Sequence, residues 1–171
     1  MALITVYFNT INPTLLKVLD SDFKGSIAKT QNYLYPFILI GVPIVVYLSI
    51  FSEEIAGILL GINFRKGYVM MPYIFMATYL HGVSNFFELR LKFSNQLKWL
   101  GSIAVVTALL NILLNLVFVA KFGYQWAAYT TLISYLFMVL LFYFRDKEVL
   151  KLTSEKRVVL LKMLLFLTGQ Y

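Results

Sequence analysis

The chain has 171 residues, a formal charge of +7 and no cysteine, and 60% of its residues are hydrophobic against 13% charged. Soluble domains carry about 45–50% apolar and about 25% charged residues, so this composition excludes a water-soluble globule and points to a protein partly covered by lipid. Without cysteine there is no disulfide framework and no thiol chemistry. Nor does the positive charge indicate nucleic acid, because the basic residues sit in short connections between apolar runs, with no basic stripe or stacking platform.

Residues 1–16 are apolar but are interrupted by Asn9, Asn12 and Pro13, and they lack the basic start of a signal peptide. They read as a partial helix, either the end of a longer one or a helix lying against the bundle. Four runs free of Asp, Glu, Lys and Arg follow, at 30–52, 67–87, 99–120 and 122–144. At about 1.5 Å per residue, each is long enough to cross a hydrocarbon core of about 30 Å. A polar linker is expected at 146–157. At 158–171 an apolar run containing Lys162 restarts, as the beginning of a further helix or as an interfacial helix. Both ends look cut from a longer transporter. The expected fold class is all-α, a polytopic transmembrane helical bundle, with 1–145 forming a partial lobe.

Basic residues alternate between connections. Lys17, Lys24 and Lys29 precede the first run, Arg90, Lys92 and Lys98 separate the second and third, and five more follow the fourth from Arg145 to Arg157. Only Arg65, Lys66 and Lys121 fall in the other two connections. This bias places the first, third and last connections in the cytoplasm, with the C-terminal tail inside and Glu53 and Glu54 outside. Tyr33, Tyr35, Tyr47, Tyr68, Trp99, Tyr124, Trp126 and Tyr143 lie near the ends of the runs, as an interfacial aromatic belt does. Pro36 and Pro43 fall within the first run, where each kinks the helix as a packing feature or a hinge.

Polar groups at membrane depth are costly, so they are the candidate functional residues. Thr107, Asn111 and Asn115 recur every four residues and share one helix face. His81, Asn85 and Glu88 share another, with Arg90 and Lys92 beyond them. Two readings stay open. These groups line a polar cavity that binds substrate (Asn111, Asn115, Thr107, Asn85, Arg90 and Lys92) with His81 and Glu88 in proton coupling, or they hydrogen-bond between helices and anchor at headgroups. A metal site is not expected, since His81 is the only histidine and there is no cysteine. No phosphate-binding loop, HExxH or nucleophile triad occurs, so neither an enzyme nor a cofactor is expected.

The stretch 111–135, NILLNLVFVAKFGYQWAAYTTLISY, resembles a signature of the polysaccharide biosynthesis family of lipid-linked oligosaccharide flippases. That family belongs to an exporter superfamily which also holds multidrug extruders and lipid II flippases. Its members carry an Asn-x-x-x-Asn helix, an I-P-x-x-G turn and a G-A-A-x-x-T start to the next helix. Asn111, Asn115, Gly123, Ala127, Ala128, Thr131 and Ser134 match these motifs. Pro13 before the polar segment 20–29, the stretch 41–43, and Leu60–Gly61 ahead of Tyr68 are similar to the family's second half. Ala120 and Trp126 depart from its usual proline and glycine, and the indole is expected to push the two helices apart.

The resemblance implies the second lobe of a two-lobe exporter fold in the cytoplasmic membrane. Such a lobe would help move undecaprenyl-pyrophosphate-linked oligosaccharide outward by alternating access, for surface polysaccharide or O-antigen synthesis. Its partners would be membrane lipids, the lipid-linked oligosaccharide, and a first lobe or a second copy of the chain. The alternatives are a non-transporting membrane scaffold and a multidrug extruder lobe.

Overall fold

A computed structural model describes residues 2–21 and 26–147, and every regular element among them is helical. Helices α1 (Ala2–Ser21) and α2 (Ser26–Ile50) are followed by the short α3 (Ser52–Leu59) and a 3-10 segment, Ile62–Met70. Then come α4 (Met71–Phe93) and α5 (Leu97–Leu114). A π-helical turn at Asn115–Val119 and the short α6 (Ala120–Phe122) carry the same rod onward, and α7 (Trp126–Arg145) returns. Most of the expected 146–157 linker and all of 158–171 lie outside the described residues.

Three helical stretches are long and apolar enough to cross a membrane: Thr30–Ile50, Leu97–Phe122 and Trp126–Arg145. They correspond to the first, third and fourth apolar runs. The second run differs. Its first residues, 67–70, belong to the 3-10 segment, and α4 has the length of a span, at 23 residues, without the apolar character of the other three. The reason is its position. Helix α4 packs between α2 and α7, so polar side chains such as Ser84 and Arg90 face protein there rather than lipid. Residues 2–21 form one continuous helix through Pro13, longer than the expected 1–16, and it packs against α2 and α4.

The bundle alternates in direction. Rings of α4's first turns meet α7's (Tyr73 and Tyr129, 4.2 Å between centroids), while Arg90 near the end of α4 meets Asp146 at the end of α7. Arg145 lies over the Trp99 ring at the start of α5, so α5 begins at that same end. Lipid is as apolar as a leucine side chain, so shape and close packing hold such helices together rather than apolar burial itself. The packed centre is correspondingly aromatic. Phe37 stacks on Tyr79 (5.5 Å, 9°) and meets Phe8 and Phe86 edge-on, while Phe87 stacks on Phe142. Tyr35, expected in the interfacial belt, is buried, whereas Tyr47 and Tyr124 are exposed.

The outward faces are apolar. On the 97–122 rod, Val105, Leu109, Leu113 and Leu116 are each more than half exposed, and only 11% of its most apolar window is buried. Continuous exposed apolar surface of that kind belongs in a bilayer.

Candidate functional site

The polar face read from Thr107, Asn111 and Asn115 turns toward α7. Ordinarily an asparagine inside a long apolar helix would leave its amide unpaired in hydrocarbon, at a cost of several kcal/mol (about 2–7 by reference state). Here α7 supplies partners. Asn111 Nδ2 donates to Ser134 Oγ (3.1 Å), Asn115 Nδ2 donates to Asn111 Oδ1 (3.0 Å), and the Thr130 hydroxyl donates to Asn115 Oδ1 (2.6 Å). Ser134 in turn donates to the Thr130 carbonyl at 2.7 Å. Thr130 and Ser134 are four residues apart, like the two asparagines, so two polar faces of equal spacing close on each other. The sequence reading singled out Ser134 but missed Thr130. The signal that could have found it is the Thr130–Ser134 pair, which repeats the asparagine spacing within an apolar run.

The hairpin that sets this register turns at Gly123. Its backbone, at φ +91° and ψ 173°, lies in a region open almost only to glycine. The helical rod begun by α5 runs past the expected turn proline position as far as Phe122, since Ala120 keeps its N–H and allows the helix to continue. Trp126, at the start of α7, reaches the preceding rod with its ring. It stacks on Phe118 (5.3 Å, 16°) and contacts Phe122 and Tyr129. The π-helical turn begins at Asn115, where the wider coil leaves the α-helical bonding pattern.

Thr107 is buried on the same face, and its Oγ1 has no hydrogen-bond partner among the described residues. This contrast yields two expected results. Thr107→Val, which keeps the shape and removes an unpaired hydroxyl, leaves stability unchanged or raises it by up to about 1 kcal/mol. A double-mutant cycle on Asn115→Leu and Thr130→Val returns a coupling of about 0.6–1.7 kcal/mol, the range for hydrogen bonds between membrane helices. Unfolding titrations with a denaturing detergent measure both, and a cycle that closes at zero would remove the Thr130–Asn115 bond from the account.

The second group of candidates divides. Arg90 is buried and its Nε lies 2.8 Å from Asp146 Oδ2, so it does not snorkel to the headgroups. Lys92 is exposed and stands 3.9 Å from Glu88, a loose surface pair one helical turn apart. His81 is half-buried with its ring 5.1 Å from that of Tyr135, and its Nδ1 has no hydrogen-bond partner among the described residues. Ser84 spends its hydroxyl on the His81 carbonyl at 2.7 Å, and Asn85 is half-buried beside it. Two turns of α4, about 10 Å, separate His81 from Glu88, too far for a direct proton transfer between them. No cluster of three or more metal-ligating side chains occurs among the described residues.

Beside the asparagines, an open groove of about 520 Å³ is lined by Ile112, Asn115, Leu116, Val119, Ala120 and Ala127. Asn115 is its one polar lining residue.

Among the described residues the protein is all helical, with three helices long and apolar enough to cross a membrane. No protein-family model, curated protein or solved structure matches the chain.

Proposed function

We propose that this chain contributes the second lobe of a flippase for undecaprenyl-pyrophosphate-linked oligosaccharide in the cytoplasmic membrane. In this reading α4 is a fourth, protein-facing span, and the end bearing Arg90 and Asp146 is cytoplasmic. Alternating access between the two lobes would carry the glycan and pyrophosphate through a polar cavity while the lipid tail stays in the bilayer. The support is that the residues carrying the family resemblance fall in one folded unit. Asn111 and Asn115 bond to Ser134 and Thr130, and Gly123 makes the turn between the helices that hold them. A second reading, a non-transporting membrane scaffold, is favoured by the same bonds. They spend the asparagine side chains on the neighbouring helix, and the groove beside them is largely apolar.

Co-expression with a first lobe in a flippase-deficient strain tests the two readings. Transport predicts that surface glycan, read by lectin binding, returns only when both lobes are present. Normal membrane insertion and lobe association without surface glycan would leave the scaffold reading standing and overturn transport.

A further inference from the structure

Between α2 and α4 the chain makes an excursion, α3 followed by the 3-10 segment Ile62–Met70, which packs on it. Gly41 on α2 faces Tyr79 on α4, while Phe37, one turn earlier on α2, meets Phe86, two turns later on α4, so these helices run in opposite directions. From that contact α2 continues to Ile50 and α4 reaches back to Met71, about 14 and 12 Å, so both ends lie at nearly the same level. Ile50 closes a membrane-length stretch, so the excursion leaves from and returns to the boundary of the bilayer. With α3 about 12 Å long and the 3-10 segment about 18 Å, neither could cross the hydrocarbon core.

The apolar side chains of this excursion are turned outward. Ile58, Leu59, Ile62 and Phe64 are between 72% and 83% exposed, more than any other large apolar side chain among the described residues, those of the 97–122 rod included. Clustered exposure of that kind marks a surface that meets lipid or a partner. Continuity and charge point to lipid. Ile40, Ile44 and Tyr47 form an exposed stripe along α2. The chain bends at Phe51 (φ −91°, ψ 20°), yet Phe51 N–H still donates to the Tyr47 carbonyl and Ile55 N–H to that of Phe51. Helical register therefore passes through the bend, and Leu59 follows Ile55 on the side that continues the stripe, while Ser52 and Ala56 are buried. Just past the patch stand Arg65 and Lys66, both exposed, and neither side chain has an ion pair or hydrogen bond among the described residues. Glu53 and Glu54 sit at the far end of α3, in the first turn, where the helix N-terminus favours them.

We propose that residues 58–66 form an interfacial membrane anchor, with Ile58, Leu59, Ile62 and Phe64 entering the acyl boundary of the leaflet at this end of the bundle and Arg65 and Lys66 pairing with lipid phosphates. Long cationic side chains suit that place, because their stems lie along apolar surface while the charge reaches the headgroups. The anchor holds the excursion against the bilayer and keeps it from standing out in water. It depends on membrane insertion alone and stands whether or not the chain takes part in transport.

The absence of cysteine makes the test direct. Ile58→Cys and Phe64→Cys, each made singly in the full chain, are spin-labelled and reconstituted into vesicles of equimolar phosphatidylcholine and phosphatidylglycerol. Both positions are exposed, so neither change removes packing, and circular dichroism checks that each variant folds. If one fails that check, the other decides. Leu113→Cys, on the exposed side of the 97–122 rod, serves as the lipid-facing reference and shows that the protein has inserted. Collision with oxygen, which concentrates in lipid, is compared with collision with a water-soluble nickel chelate. The expected result is that both labels favour oxygen, at a depth of about 5–10 Å below the phosphates. Labels that favour the nickel chelate would place the patch in water. Labels shielded from both reagents would place it against protein, a second copy of the chain included. Either result overturns the anchor. Adding Arg65→Glu and Lys66→Glu to Phe64→Cys is expected to raise that label by about 5 Å toward water, and an unchanged depth would overturn the phosphate pairing.

Discussion

Replacing Asp146 by alanine is expected to destabilise the protein by about 3 kcal/mol, the lower part of the range for breaking a buried ion pair. The Arg90 side chain is only 5% exposed and its Nε sits 2.8 Å from the Asp146 carboxylate, so removing the acid takes a charged partner from a guanidinium in a place where water reaches it poorly. The lower figure applies because Asp146 itself keeps 15% exposure and its loss admits some solvent. Arg90→Ala strands the opposite charge and is expected to cost somewhat less, since the acid lies nearer water. The double substitution Arg90→Met, Asp146→Leu removes both charges while keeping bulk, and is expected to recover most of the loss. Thermal unfolding in a mild detergent, followed by circular dichroism, separates these cases. A loss below about 0.5 kcal/mol for Asp146→Ala would mark the pair as an ordinary surface bridge.

That pair also shows where sequence reasoning stops. Arg90 was legible as a charge near the end of a span, and its alternatives were a headgroup anchor or a substrate-binding group. Its partner lies 56 residues away, and nothing in local periodicity joins α4's last turn to the residue that ends α7. The asparagine face was legible for the opposite reason. A repeat of four residues is a property of one helix, and the cost of leaving amides unpaired in hydrocarbon called for either a polar cavity or a partner helix. The short turn at Gly123 brings α7 directly alongside, and its side chains take up the asparagine bonds. The apolar runs at 99–120 and 122–144 foretold two membrane-length stretches to within a few residues, because lipid imposes length and composition together. The run at 67–87 misled on composition, since a helix surrounded by protein can carry polar side chains that a lipid-facing helix cannot.

The contact between α2 and α4 depends on a single missing methyl group. A Cβ at Gly41 would collide with the Tyr79 ring, overlapping Cε2 and standing 3.0 Å from Cδ2. The ring has little room to yield, being stacked on Phe37 at 5.5 Å with its hydroxyl reaching the Ile38 carbonyl at 3.4 Å. Gly41→Ala is therefore expected to cost about 1–3 kcal/mol, the usual penalty for overpacking, although alanine is the better helix former. The comparison that isolates the cause uses Tyr79→Ala as background. With the ring gone, Gly41→Ala is expected to stabilise by the propensity difference of about 0.8–1 kcal/mol, so the sign of one substitution reverses with the state of the other residue. If Gly41→Ala destabilises equally in both backgrounds, the ring is not responsible. Pro36 and Pro43 stand on either side of Gly41, and each removes a hydrogen-bond donor from α2. A helix weakened twice in this way relies on its neighbours to hold its course, and Tyr79 on α4 is the neighbour seated at Gly41.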